Sequence, residues 1–423
     1  MTKKDEKKIT EIESEVICDP KKSRLSTGTA SLQKSATLEI AAKAKAMNAR
    51  GENVISFSAG EPDFDTPKNI KEAAKKAIDM GFTKYTDSSG IKELKTAIRQ
   101  KFLRENNLHY DESNIIVATG AKYAIYSVLR AIISPGDEVV VPAPYWVSYT
   151  NMIKLCGGIP VFAYPKEENG FIVTLDDIKP VITDKTKAVF INSPNNPTGA
   201  VYRLNDLEQI GNWLTERNIF VISDEIYEKL TYDNIQHVSI ASLVSDKYKK
   251  NVIIINGFSK AYSMTGWRVG YAAAPKDVAE RMKFFIDHTT SNTNSIAQYA
   301  CVEALAGQQN DIEMMVRRFN RRRTFMVDEL NKVPNIHCTY PQGAFYVFAN
   351  FKSYLNTSIN GHEIKNTIDL ANYLLDDAKV AVVPGEAFGA PGYIRFSYAT
   401  SMDNISEGID NLRNALGDAV FHD

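Results

Sequence analysis

The chain has 423 residues, is 44% hydrophobic and 24% charged, and carries a formal net charge of −1. This is ordinary globular composition, long enough for more than one domain, and the charge balance offers no footing for nucleic acid or an anionic membrane. The four cysteines, Cys18, Cys156, Cys301 and Cys338, are scattered; they form neither a CxxC metal pair nor a disulfide framework, which favours a reducing cytoplasm and no metal site.

The first residues, "MTKKDEKKITEIESEVICDPKK", mix acids with bases and lack an apolar core. They read as an extension over 1–24 and not as a secretory or transit signal. No apolar run approaches the roughly 18 residues that a membrane helix needs. There is no internal repeat. A helix is predicted near 36–50. From about residue 69 helices and strands alternate. "NIKEAAKKAIDMG" is helical with a glycine stop, and "ELKTAIRQKFLRENN" is amphipathic, with Leu94, Ile98 and Phe102 spaced by four. "NIIVATG" is a strand, "AKYAIYSVLRAII" a helix and "DEVVVPAP" a strand. "KAVFINSP", helix "LNDLEQIGNWLTERN", "IFVISDE", "NVIIING", "VGYAAAP" and helix "PKDVAERMKFFIDHT" follow. Continuous apolar strands alternating with helices predict an α/β fold with a mostly parallel sheet covered on both faces. The last third differs. A long helix from 310 leads into "GAFYVFANF", helix "TIDLANYLLDDA", "VAVVPG", "YIRFSYA" and a final helix. The predicted organisation is a large domain over 69–309 and a small α+β domain built from both chain ends, 25–68 and 310–423.

Ligands of open parallel sheets sit beyond the carboxyl ends of the strands, and unusual residues collect there. Gly120-Ala121-Lys122 makes a tight turn into a helix, a place for a phosphate, although neither GxxxxGK[ST] nor GxGxxG is present. "NSPNNPTG" puts Asn195 and Asn196 after one strand, and "SDEIY" puts Asp224 and Tyr227 after another. Taken singly, each reads equally well as a loop or a helix cap. Lys260 follows the next apolar run, with Arg268 eight residues on. A lysine at a buried strand end is costly unless something pairs with it or bonds to it. One ligand would use all of these groups: pyridoxal 5′-phosphate, whose aldehyde forms a Schiff base with a lysine and whose pyridinium nitrogen is stabilised by an aspartate.

"GFSKAYSMTGWRVG" resembles the pyridoxal-phosphate attachment signature of class I/II aminotransferases. "SFSAGEPDFDTP", "TKYTDSSGIKELK", "PAPYWVSY", "NSPNNPTGAVY", "SDEIYEKL" and "YIRFSYA" resemble that family's other markers in order, over about 25–417. The similarity is greatest to the bacterial-type branch of aspartate aminotransferases. It implies a fold-type I homodimer with active sites at the subunit interface and transfer of the amino group of L-aspartate to 2-oxoglutarate. Lys260 is implied as Schiff-base lysine and proton carrier, Asp224 as partner of the pyridine nitrogen, and Tyr227 and Asn196 as donors to the ring oxygen. Trp146 would stack on the ring. Ala121, Lys122, Ser259 and Arg268 would bind phosphate, and Tyr85 would reach the phosphate of the neighbouring subunit. Arg395 would grip the substrate α-carboxylate as a fork, and Gly60 would let backbone approach it.

Two departures stand out. Some aspartate aminotransferases have a phosphate-binding serine where this chain has Gly257, which implies that one phosphate ligand is missing or replaced. No arginine for the substrate's distal carboxylate is found in "DHTTSNTNS", and the branch implies Lys122 with Ser35 and Thr37 for that task. Gln33-Lys34 replaces the Lys-Pro of many prephenate-using members, so prephenate or aromatic amino transfer ranks second, beside a C–S lyase on the same scaffold. A fold-borrowing DNA-binding regulator is disfavoured, because 1–24 is too short for an added domain and the charge is not basic.

Overall fold

The computed structural model describes residues 27–30, 32, 35–417, 419 and 420. The expectations for the extension at 1–24, for Cys18 and for Gln33-Lys34 fall outside these residues. The chain divides into two compact units, Met1–Lys34 and Ser35–Asp423. The first contributes only the short helix Thr27–Ala30 and Leu32 to the described residues.

The larger unit is built on a seven-stranded sheet. Its strands are β1 (Ile115–Ala118), β2 (Glu138–Pro142), β3 (Ile159–Ala163), β4 (Thr186–Asn192), β5 (Phe220–Asp224), β6 (Val252–Gly257) and β7 (Gly270–Ala273). The spatial order is β1-β7-β6-β5-β4-β2-β3. All neighbours are parallel except at β7, which runs antiparallel to both β1 and β6. The expected mostly parallel α/β fold is therefore found. Successive strand residues alternate between two apolar cores. Val221 and Ile254 enter one, and Ile222 and Ile255 enter the other. Both faces are thus covered by helices, which explains why β5 and β6 read as unbroken β-branched runs. Burying each such side chain contributes about 1.5–3 kcal/mol.

Two of the stretches that escaped the sequence reading did so for clear physical reasons. β3, "IPVFA", contains Pro160, which signals against a central strand; it lies at the sheet's edge with Ile159 exposed, where a missing N–H is tolerated. The helix Ser295–Ala306 is apolar nearly all round, so no amphipathic stripe announces it; Asn294 caps it by accepting from the Ala297 N–H at 2.9 Å. The predicted strand "VAVVPG" splits in two. Val380–Ala381 pairs in parallel with Ile55–Ser56, while Val383–Pro384 pairs with Tyr393–Ser397. We label Tyr346–Asn350 as β8, Val383–Pro384 as β9 and Tyr393–Ser397 as β10. They form an antiparallel sheet in the order β9-β10-β8, with Arg395 opposite Phe348. The predicted helix near 36–50 is present as Ala36–Ala49, here α1.

The antiparallel course of β7 matters for the site. Arg268 precedes β7, so it emerges at the same edge as the carboxyl ends of β1 and β6. Gly120, two residues beyond β1, has φ +86°, and a Cβ there would lie 2.3 Å from Arg268 Nη2. Glycine is required at this turn by the backbone conformation, and its lack of a side chain leaves the guanidinium room to approach. The helix Ala121–Ile132, here α2, starts immediately afterwards.

Candidate active site

A cavity of about 440 Å³ opens at this edge. Every residue that the resemblance assigns to the site lines it except Tyr85, and Asn195, named from its place after a strand, does not line it. Tyr85 is 91% exposed, so the chain does not bring it to its own pocket.

Lys260 sits three residues beyond β6 and projects into the cavity, where its Nζ donates to the Gly60 carbonyl at 2.5 Å. Its pKa falls to about 8. Burial is the main cause; Glu61 opposes it, and the charges of Arg395 and Arg268 add to the lowering. A lysine in this state supplies a neutral amine near physiological pH.

Asp224 ends β5 and is 4% exposed. Its carboxylate accepts from the Tyr149 hydroxyl at 2.6 Å and from the Ile226 N–H at 3.3 Å. Burial raises its pKa to about 6 against the pull of those two donors. Tyr149, buried and stacked on Phe190 at 4.4 Å, is a site residue that the sequence reading missed. It lies in the quoted motif "PAPYWVSY", but nothing local marks it as the partner of an acid 75 positions away.

Arg395, on β10, is 2% exposed. It donates from Nη1 to Asn196 Oδ1 at 2.9 Å and from Nη2 to the Ser58 carbonyl at 3.0 Å. Its buried Nε has no hydrogen-bond partner among the described residues. The Asn196 oxygen is thus committed to Arg395, and its NH2 remains as the donor. The Asn196 backbone is held by Asn192 Oδ1, and Asn192 Nδ2 in turn donates to the Asp224 carbonyl, both at 2.9 Å. Tyr227 and Tyr346 join hydroxyls at 2.8 Å.

Ala121 in the first turn of α2, the buried Ser259, and Arg268 also line the cavity. Arg268 Nη1 donates to the Thr265 carbonyl at 2.9 Å. A helix start beside a guanidinium and a hydroxyl makes an anion site. Gly257 explains the first departure noted in the sequence. A Cβ there would lie 2.9 Å from Gly270 Cα and 3.2 Å from Ile226 Cδ1, so the close approach of β6 and β7 leaves no room for a side chain. Gly257→Ser is therefore expected to destabilise the fold by about 1–3 kcal/mol through overpacking. It should not tighten anion binding; a urea midpoint equal to that of the parent protein would refute the expectation.

Ser35, Thr37 at the start of α1, and Lys122 line the cavity too. The Lys122 ammonium lies 5.0 Å from the Trp146 ring centroid. Partial burial of its end and then the charge of Arg268 lower its pKa. Trp146 packs edge-on to Tyr149 at 5.3 Å. Outside the cavity lining, the buried Lys101 pairs with Glu228. Burial pushes the Glu228 carboxyl up, but Lys101 and His237 pull it down to about 2. The Glu225 carboxylate, beside His237 at 3.2 Å, accepts from Ser223 and Ser239.

The cavity thus holds an activatable amine, a buried acid, an anion cradle and a buried arginine with a spare donor. Residues 52–412 match the family described as "Aminotransferase class I and II", and the chain belongs to that family of enzymes, as its motifs suggested. An aspartate aminotransferase of Geobacillus stearothermophilus is 46% identical over 393 residues, 93% of this chain and 99% of that protein. A probable aspartate/prephenate aminotransferase of Aquifex aeolicus is 46% identical over 394 residues, 93% of this chain and 98% of its own length. Among solved structures, the aspartate aminotransferase from Rhizobium meliloti is similar with a TM-score of 0.90 at 40% identity, covering 94% of this chain and 100% of that one.

Proposed function

We propose that the protein transfers the α-amino group of L-aspartate to 2-oxoglutarate, giving oxaloacetate and L-glutamate, with pyridoxal 5′-phosphate as cofactor. The observation that carries this reading is the Lys260 amine, at a pKa of about 8, inside one cavity with Asp224 and Arg395. The residues fit the cofactor by their chemistry. The α2 start, Ser259 and Arg268 suit a phosphate, a buried carboxylate suits a pyridinium nitrogen, and a low-pKa amine suits an aldehyde. Tyr227 and the Asn196 NH2 would donate to the ring oxygen, and Trp146 would cover the ring face. When bound, the cofactor supplies an electron sink that stabilises negative charge at the substrate Cα.

The chain's own residues do the rest. Lys260, once free, is the base that takes the Cα proton and returns it on the far side of the transfer. The Gly60 carbonyl holds its amine. Asn196 and the Ser58 carbonyl hold Arg395 so that its remaining N–H groups orient the substrate α-carboxylate. Tyr149 keeps the Asp224 carboxylate aimed and ionised. We also propose a cytoplasmic homodimer in which Tyr85 completes the phosphate site of the partner; the exposure of a tyrosine in the "TKYTDSSG" motif supports this. The large cofactor domain would span 69–309 and the small domain 25–68 with 310–423, after an extension at 1–24. The pairing of Ile55–Ser56 with Val380–Ala381 supports joining the two chain ends.

Lys122, Ser35 and Thr37 all line the cavity; an ammonium and two hydroxyls of this kind support a substrate with a distal carboxylate. Prephenate, also a dicarboxylate, is the second reading, favoured by the relative from Aquifex aeolicus. A panel of aspartate, glutamate, prephenate and phenylalanine, followed by cofactor absorbance, tests both. Lys122→Ala should lower kcat/KM for aspartate by roughly 1.5–3 kcal/mol, as for a lost hydrogen bond to a charged group, and barely alter that for phenylalanine. Equal losses for every substrate would assign Lys122 to the phosphate and leave the substrate class open.

A further inference from the structure

We propose that Tyr346 is a positioning residue that ties the carboxylate-binding Arg395 to the cofactor-facing Tyr227. The inference rests on the cofactor reading given above. Tyr346 opens β8, is fully buried and lines the cavity. Its hydroxyl lies 2.8 Å from that of Tyr227, and its ring centroid lies 4.3 Å from the Arg395 guanidinium. It therefore touches two groups that arrive from different parts of the fold.

A phenol has one proton to donate. If Tyr227 donates into the cavity, its hydroxyl can only accept from Tyr346. Tyr346 is then the donor, and it fixes the Tyr227 rotor on the ligand. Arg395 strengthens that donor. Burial raises the Tyr346 phenol, and the guanidinium over its ring works in the opposite direction. The ring in turn offers its negative face to Arg395, which is buried and donates to an amide oxygen and a backbone carbonyl instead of a carboxylate. A tyrosine that served packing alone would need only its ring.

The test uses full-length holoenzyme in four forms: parent, Tyr227→Phe, Tyr346→Phe, and both changes together. The readout is the pH midpoint of the bound cofactor's visible band. Donation to the ring oxygen favours the deprotonated form, so Tyr346→Phe should raise the midpoint by about half a unit, roughly threefold in proton affinity. Tyr227→Phe should raise it further, and the double change should match Tyr227→Phe alone. KM for aspartate should stay within about twofold in Tyr346→Phe, because the ring under Arg395 remains. Tyr346→Leu removes the ring. It should raise that KM on the order of tenfold and weaken calorimetric binding of succinate to the cofactor-free protein; if this variant does not fold, the phenylalanine set still decides. An unshifted midpoint in Tyr346→Phe, or equal shifts with and without the Tyr227 hydroxyl, overturns the inference while the cofactor reading stands. A parent protein without a visible band after incubation with pyridoxal 5′-phosphate overturns both.

Discussion

Replacing Lys260 with alanine abolishes turnover: this is the expected result, a loss on the order of 10⁴-fold or more from removing the proton carrier and the covalent anchor together. Lys260 is the cavity lysine whose pKa is brought down to about 8. The drop comes first from burial and then from Arg395 and Arg268, against the pull of Glu61 and Asp224. Lys122 also lines the cavity, but its ammonium stands over Trp146. Lys260→Arg should be equally inactive, since it keeps a cation near Gly60 but cannot present a neutral amine at any ordinary pH. The pair of variants separates amine chemistry from charge. Borohydride reduction of the holoenzyme followed by peptide mapping should place the cofactor on the peptide containing Lys260, and a label on any other lysine defeats the assignment. Stability should change little, because the substitution removes one hydrogen bond to a backbone carbonyl, worth about 1 kcal/mol.

Much of this site could be read in the sequence because the strands that carry it are apolar until they stop. β5 reads Phe-Val-Ile-Ser before Asp224, and β6 reads Val-Ile-Ile-Ile-Asn-Gly before Lys260. A polar or charged residue at such a boundary stands out against the pattern. Arg268 was readable as a companion of Lys260, but its place beside the α2 start depends on the antiparallel β7, which composition does not announce. The supporting residues were not readable. Tyr149 meets Asp224 across 75 positions, and Tyr346 meets Tyr227 across 119. Each sits among apolar neighbours where a tyrosine looks like core, and only the fold supplies its partner. The Lys101–Glu228 pair is hidden in the same way: Lys101 lies on a helix face read as amphipathic, yet it is wholly buried. Gly257 shows the opposite case. Its motif suggests a missing phosphate ligand, whereas the backbone spacing to Gly270 makes it a packing requirement.

Asp224→Ala is expected to keep the cofactor and lose at least about 10²-fold in kcat. The proposed phosphate and ring-oxygen contacts, from the α2 start, Ser259, Arg268, Tyr227 and Asn196, do not use the Asp224 side chain, so occupancy should survive. On the proposed role, what would go is the negative charge that keeps a pyridinium nitrogen protonated. The protein invests in that charge. Burial alone would drive the carboxyl well up, and the neighbouring Glu225 adds to this, yet the Tyr149 hydroxyl and the Ile226 N–H hold it to about 6. The sign of the pH effect follows. Without the cofactor the group is anionic above about 6, and a pyridinium beside it would pull its pKa lower still, so an acid limb of kcat/KM from this group should lie below about 6. Tyr149→Phe removes a donor to the ionised form, so its acid limb should move to higher pH, while the alkaline limb, which belongs to other groups, stays where it is. Asp224→Asn is the decisive variant. It preserves size and can still accept from Tyr149, but it carries no charge. If it is as slow as Asp224→Ala, charge is what Asp224 contributes. If it works at near the parent rate, Asp224 merely anchors Tyr149, and the pyridinium role is wrong.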